Sequence, residues 1–114
     1  MQMEPQPRRG EVYWVSFEAS TGGEIRKTRP AVVISNNAAN AALNRVVVVP
    51  LTSRVERVYP SEALVTVGGT QSKVMADQIA TASKQRLHDR LGALSSEDLK
   101  AVEGAILLHL GIRR

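Results

Sequence analysis

An arginine set against a proline, Arg29–Pro30, opens the apolar run "RPAVVIS", and Thr52 closes a second apolar run, "RVVVVPLTS". A guanidinium offers several donors in a planar fork and keeps its charge at every working pH. It therefore suits a phosphate or a developing oxyanion, and for the same reason it is a poor general base. A threonine hydroxyl can orient a phosphate oxygen or a nucleophile, but it is not an appreciable base at neutral pH. If the two runs are antiparallel neighbours joined by the Asn-rich "NNAANAALN", and Ser35 stands opposite Val46, then Val33 faces Val48 and Ala31 faces Pro50. Arg29 then faces Thr52. Pro30 confines Arg29 to extended backbone, and Pro50, lacking an N–H, predicts a bulge or an edge in the ladder. On pattern alone Arg29 reads more simply as a strand-end cation held in solvent than as a site residue.

Other chemistry is less well supported. The chain has no cysteine, which excludes a disulfide framework and a thiolate metal site and fits a reducing, cytoplasmic setting. Its two histidines, His88 and His109, have no ligand spacing, so no metal site and no cofactor are expected. Nor are they assigned as an acid–base pair. His109 falls in the last turn of a predicted helix, where a histidine interacts with the C-terminal dipole, and His88 falls in a charged turn, "RLHDR". Tyr13 and Trp14 have rings that could stack on bases, but strand alternation places at least one of them in the core. Fifteen Lys and Arg against eleven Asp and Glu give a net charge of +4, and the pI is ≈ 10.0. That balance favours a polyanionic partner without identifying one.

The elements that must position these residues follow from hydrophobic period. At 114 residues the chain is expected to form one domain, residues 9–114, behind a frayed tail, 1–8. No apolar run has the length of a membrane span, and the N-terminal stretch has no apolar segment of the kind a signal peptide carries. "EVYWVSF" alternates Val12 and Trp14 against Tyr13, Val15 and Phe17. The two runs that carry Arg29 and Thr52 are apolar on both faces, as central strands are. "SEALVTV" and "KVMADQIATAS" read as a hairpin across a five-residue turn, "GGTQS". "SKQRLHDRLG" reads as a short helical turn capped by Ser83. "SSEDLKAVEGAILLHLG" reads as an amphipathic helix with Ser95 and Asp98 at capping-box spacing, a core stripe of Leu99, Val102, Ile106 and Leu110, and Gly111 at C′. The expected fold is mainly β: a small antiparallel barrel with a C-terminal helix packed on it.

The motifs "RRGEVYWVSF", "GGEIRKTRPAVVISN", "VVVVPLTS", "SKVMADQIATASKQRL" and "LGALSSEDLKAVEGAI", in that order, resemble the MazF/PemK family of toxin ribonucleases over nearly the whole chain. The resemblance implies an SH3-like barrel, a homodimer, and metal-independent, sequence-specific cleavage of single-stranded RNA. It also implies a cognate MazE-type antitoxin whose disordered tail covers the substrate groove. Matched residue by residue, it makes Arg29, Thr52 and Glu24 catalytic. Thr28, Ser53, Arg54, Ser72, Asp77 and Gln78 become RNA-contacting positions, Gln78 being better suited than Asp77 to read a base edge. Glu24 is the one carboxylate in the matching motif that could accept a 2′-OH proton, and on its Gly-rich loop it could equally bind a base. A relative of the same fold that poisons DNA gyrase is the alternative. Such a protein needs neither Arg29 nor Thr52.

Overall fold

The register inferred between the two apolar runs is present: Ala31 faces Pro50, Val32 faces Val49 and Val33 faces Val48. The computed structural model describes residues 6–17 and 27–113. In chain order these form β1 (Glu11–Phe17), β2 (Lys27–Val33), α1 (Asn37–Ala42), β3 (Arg45–Thr52), β4 (Glu62–Val67), β5 (Thr70–Met75), β6 (Ala80–Ser83), β7 (Leu87–Ala93) and α2 (Ser96–Leu110). All pairings are antiparallel. The strand order is β4-β5-β3-β2-β1-β7, with β6 also on β3. The sheet curls until β4 and β7 meet: a Cβ added to Gly92 would lie 3.4 Å from Val67 Cγ1. No ladder joins those two strands, so the barrel is open along that seam.

β-Branched residues dominate the central strands, where their stiff side chains pack well on a pleated surface. Alternation sends them to two cores. Val12, Val32, Val49 and Leu51 meet Val65, Val74, Val102 and Ala105 inside the curl, under α2. On the opposite face Tyr13, Val15, Ala31, Val33, Val46 and Val48 meet Ala82 and Leu87. Each fully buried valine contributes about 1.5–3 kcal/mol relative to exposure, so a one-residue slip of β2 on β3 would reassign every such contact.

A polar anchor fixes that register at the α1 connection. Asn40 is 1 % exposed. Its Nδ2 donates to Ser35 O at 2.8 Å, and its Oδ1 accepts from Ser35 Oγ. Ser35 Oγ in turn accepts from Val47 N at 3.0 Å, beside the Ile34 N to Val47 O bond. Asn36 caps α1 through Ala39 N. Arg9 ties β1 to the helix, its Nη2 2.6 Å from Glu103 Oε2 and its Nε on Ile34 O.

Five local expectations are corrected. The β4–β5 turn is two residues, Gly68 and Gly69, both at positive φ, with Val67 facing Thr70; a two-residue turn of that hand matches the strand twist. "KVMADQIATAS" is not one strand. A 3₁₀ turn, Ala76–Gln78, divides β5 from β6, and both pair with β3. Ser83 does cap a 3₁₀ turn, Lys84–Arg86, but the residues after it are a strand, β7, irregular in register against β1. In α2, Ser95 Oγ accepts from Asp98 N as expected, yet Asp98 Oδ2 accepts from Thr66 N on β4 at 3.0 Å instead of closing a capping box. Leu110, assigned to the core stripe, is 51 % exposed, and Ala105 is buried in α2 instead.

Replacing Asn40 with Ala leaves the Ser35 carbonyl and hydroxyl without their buried partner. The expected loss is about 2–4 kcal/mol of folding stability, measurable by urea denaturation.

Candidate functional site

Backbone direction explains how Thr52 reaches an open position. Val47 turns both of its polar groups toward β2, since its carbonyl accepts from Ile34 N and its N–H reaches Ser35 Oγ. With a period of two, Val49 and Leu51 also turn toward β2, whereas Val48, Pro50 and Thr52 turn toward β6 and β5. The missing N–H of Pro50 therefore falls between Val48, which faces Ala80 on β6, and Thr52, which faces Lys73 on β5. That is where the neighbouring chain leaves as a 3₁₀ turn. Pro30, opposite Leu51 in the same register, lacks the donor that would carry the β2–β3 ladder further. The ladder ends at Ala31 and Pro50, and Arg29 and Thr52 lie just past its end.

Thr52 lines a groove of about 570 Å³ together with Ser53, Thr70, Ser72, Trp14, Pro30 and Leu91. The groove is the mouth of the open barrel, between the β4–β5 hairpin tip and the β1–β2 pair. Its polar groups are hydroxyls, and its ring is Trp14, 37 % exposed. Thr52 Oγ1 accepts from Arg54 N at 3.3 Å, which leaves the hydroxyl proton able to donate to a bound group.

The other expected residues divide. Ser53 and Ser72 share the groove with Thr52. Thr28 is exposed, with Oγ1 3.4 Å from Ser16 Oγ, and Ser16 Oγ is 2.6 Å from His88 Nε2. Arg29 faces Val15 on β1 and by alternation shares the face of Ala31 and Val33. It is not among the groove's lining residues, and its side chain makes no hydrogen bond or ion pair among the described residues. Arg54 is exposed. Asp77 and Gln78, expected on opposite faces of a strand, are exposed residues of the 3₁₀ turn, away from the groove. Glu24 lies outside the described residues. Among the described residues no three of His, Asp and Glu converge to hold a metal ion, and no helix is long and apolar enough to cross a membrane.

Sequence reasoning missed one neighbour of the site. Lys73, opposite Thr52 in the ladder, is 9 % exposed. Its Nζ lies 3.0 Å from Glu62 Oε1 and donates to Arg57 O at 2.7 Å. Burial alone would raise the Glu62 carboxyl, but the Tyr59 N–H and the Lys73 ammonium outweigh it and hold Glu62 below the usual carboxylate range. Glu11 behaves alike on the other side of the sheet. Its burial is outweighed by the Arg8 N–H, the Arg90 guanidinium and the Tyr13 hydroxyl. Tyr13 is pushed up to about 12 by burial and by its hydrogen bond to Glu11.

Comparison with known proteins places residues 8–110 within a family model described as PemK-like, MazF-like toxin of type II toxin–antitoxin system. The chain is 38% identical over 114 residues to endoribonuclease MazF9 of Mycobacterium tuberculosis, a match covering 92% of this chain and 97% of that protein. Among solved structures, an endoribonuclease from a mycobacterial species superposes with a TM-score of 0.82 at 27% identity, covering 99% of each chain. A mycobacterial endoribonuclease in complex with its cognate antitoxin gives 0.78 at 29% identity, over 95% of this chain and 98% of that one.

The depressed carboxyls and the raised tyrosine set the expected pH dependence of stability. A carboxyl whose folded value lies below 4.5 stabilises the fold above that pH and loses its contribution as pH falls through the folded value. The raised tyrosine contributes in full below 10 and is lost as pH rises toward about 12. Melting temperature should therefore drop on both sides, and Glu62→Gln should flatten the acid limb in a series of thermal melts.

Proposed function

The chain belongs to the PemK-like, MazF-like family of type II toxins, and from that membership we propose that it is a sequence-specific endoribonuclease that cleaves single-stranded RNA. The observation that supports the site assignment is the β2–β3 register, which, continued past the end of its ladder, would set Arg29 opposite Thr52. RNA brings its own nucleophile, so the protein must align the 2′-OH with the scissile phosphate, relieve charge on the phosphorane and manage two protons. The 2′-oxygen attacks phosphorus, the P–O5′ bond breaks, and the products are a 2′,3′-cyclic phosphate (or its hydrolysed 3′-phosphate) and a 5′-hydroxyl. Neither nucleophile nor leaving group calls for a metal ion.

In this reading Arg29, a cation with no protein partner among the described residues, clamps the phosphate and neutralises the developing oxyanion. Thr52, already accepting from Arg54 N, donates its hydroxyl proton to a phosphate oxygen and fixes the line of attack. Glu24 is the candidate acceptor of the 2′-OH proton. Flanking bases enter the groove, where Trp14 offers a ring and Ser53 and Ser72 offer hydroxyls. Thr28, Arg54, Asp77 and Gln78 are the further RNA contacts proposed from the family motif. Residues 9–114 act as one domain, in the cytoplasm, and a cognate MazE-type antitoxin silences the site. The gyrase-binding alternative has no observation in its favour, whereas the relatives found are named as endoribonucleases.

Incubation with a long single-stranded RNA in EDTA should yield discrete 5′-hydroxyl ends at one short motif. Arg29→Ala should reduce kcat about 10²–10³-fold, and Thr52→Ala about a hundredfold through misalignment. A folded wild-type protein that cuts no RNA would overturn the proposal. Leu108, Leu110 and Ile112 leave an apolar face at the C-terminal end of α2, and a homodimer is the expected species in sedimentation at micromolar concentration.

A further inference from the structure

We infer that Lys73 is a positioning residue for this site: its buried ammonium braces segment 53–61, so that Arg54 and Arg57 are held at the rim beside Thr52. The inference rests on the nuclease reading for what the rim does, but the brace is a property of the fold. Segment 53–61 belongs to no helix or strand and so has no ladder to hold it. At its start the Arg54 N–H reaches back to Thr52 Oγ1. Its far end is tied by Ser61 O, which accepts from Ala76 N at 3.0 Å, and by Tyr59 O, which accepts from Glu62 N at 2.9 Å; across its middle, at Arg57, the tie is one ammonium. Lys73 Nζ donates to Arg57 O at 2.7 Å and to Glu62 Oε1 at 3.0 Å. The same Glu62 oxygen accepts Tyr59 N at 2.8 Å. The Tyr59 ring lies 5.8 Å from both Lys73 Nζ and Arg57 Cζ, and Arg57 Nη1 donates to the Tyr59 hydroxyl at 3.2 Å.

A buried ammonium is costly unless it is paired and hydrogen-bonded, and an apolar residue packed at the same strand position would avoid that cost. What an apolar residue cannot do is bind a carbonyl and a carboxylate from the segment and its far end at once. Lys73 also faces Thr52 across the ladder, so the brace and the Thr52 hydroxyl share one strand pair. Arg29 and Thr52 are set by β2 and β3 and do not depend on the brace; Arg54 and Arg57, which would meet the substrate's phosphates, do. Loss of the ammonium should therefore weaken RNA binding more than it slows the chemical step.

The test is Lys73→Met, with Lys73→Arg to keep the charge and Glu62→Gln as a second variant where Lys73→Met fails to fold. In cleavage of a short RNA that carries the cut motif, Lys73→Met should raise KM about tenfold with little change in kcat, and Lys73→Arg should recover part of that loss. Trypsin, with the cuts mapped by mass spectrometry, should cleave after Arg54 or Arg57 about tenfold faster in the variant than in the wild type. A folded Lys73→Met or Glu62→Gln protein with wild-type KM would overturn the functional half. Wild-type trypsin rates at Arg54 and Arg57 would overturn the brace itself. Should the wild-type protein cleave no RNA, the nuclease reading falls, and the trypsin comparison still decides the brace.

Discussion

Two prolines withhold a backbone donor where β3 changes partner, and the site depends on that. A central strand normally satisfies both edges along its length, because an unpaired buried N–H is costly. β3 instead borders β2 on one edge and, on the other, first β6 and then β5. Pro50 removes the donor at the hand-over between β6 and β5, where the neighbouring chain has left the ladder. Pro30 removes the donor that would have extended the β2 ladder past Ala31. The first absence falls where the neighbouring chain has left, and the second falls opposite Leu51, where the ladder ends. The last residues of β2 and β3 can then separate, and a charged side chain can stand where a closed sheet would bury it.

The separation is useful only if the two strands are held elsewhere. They are held through the Asn40–Ser35 anchor at the other end of the same hairpin, backed by valines on both faces of the sheet. The anchor sets register, and register determines which face each residue takes. A slip of β2 by one would put Arg29 on the face now held by Val32, inside the curl, and away from the face that Thr52 shares by alternation with Val48. A polar cluster at the α1 connection thus controls, through packed strands, the opposing placement of a cation and a hydroxyl at the far end.

Sequence legibility follows the same division. The β2–β3 register was legible because a short connection and two runs of valine admit few registers, and the prolines mark where the ladder stops. The α2 cap at Ser95 and the left-handed Gly111 were legible from local chemistry alone. β7 was not, because bulges against β1 erase its alternation and its residues are largely exposed, so its period looks like a charged turn. The division of β5 from β6 was hidden as well. Leu51 faces Val74 and Val48 faces Ala80, so the outer chain carries three more residues than β3 over that interval, and those three form the 3₁₀ turn. That turn carries Asp77 and Gln78 off the strand. Lys73 was illegible for a different reason: its meaning lies in Glu62 and in the carbonyl of Arg57, partners that only the tertiary fold supplies.

Polarity is distributed around Thr52 in a way that separates two properties of RNA recognition. The groove offers hydroxyls and an indole ring, groups that read bases by stacking and hydrogen bonding and respond weakly to salt. Arg54 and Arg57 are exposed on segment 53–61, where, in the proposed site, contacts to phosphate would supply affinity that falls as ions screen it. In the proposed site, sequence preference and affinity therefore arise from different elements: the first from the β1–β2 pair and the β4–β5 hairpin, the second from segment 53–61. Arg29 belongs to neither set. It stands at the end of a strand whose register is fixed from the far side, and so it can meet one phosphate, the one aligned with Thr52, while the rim holds the rest of the chain.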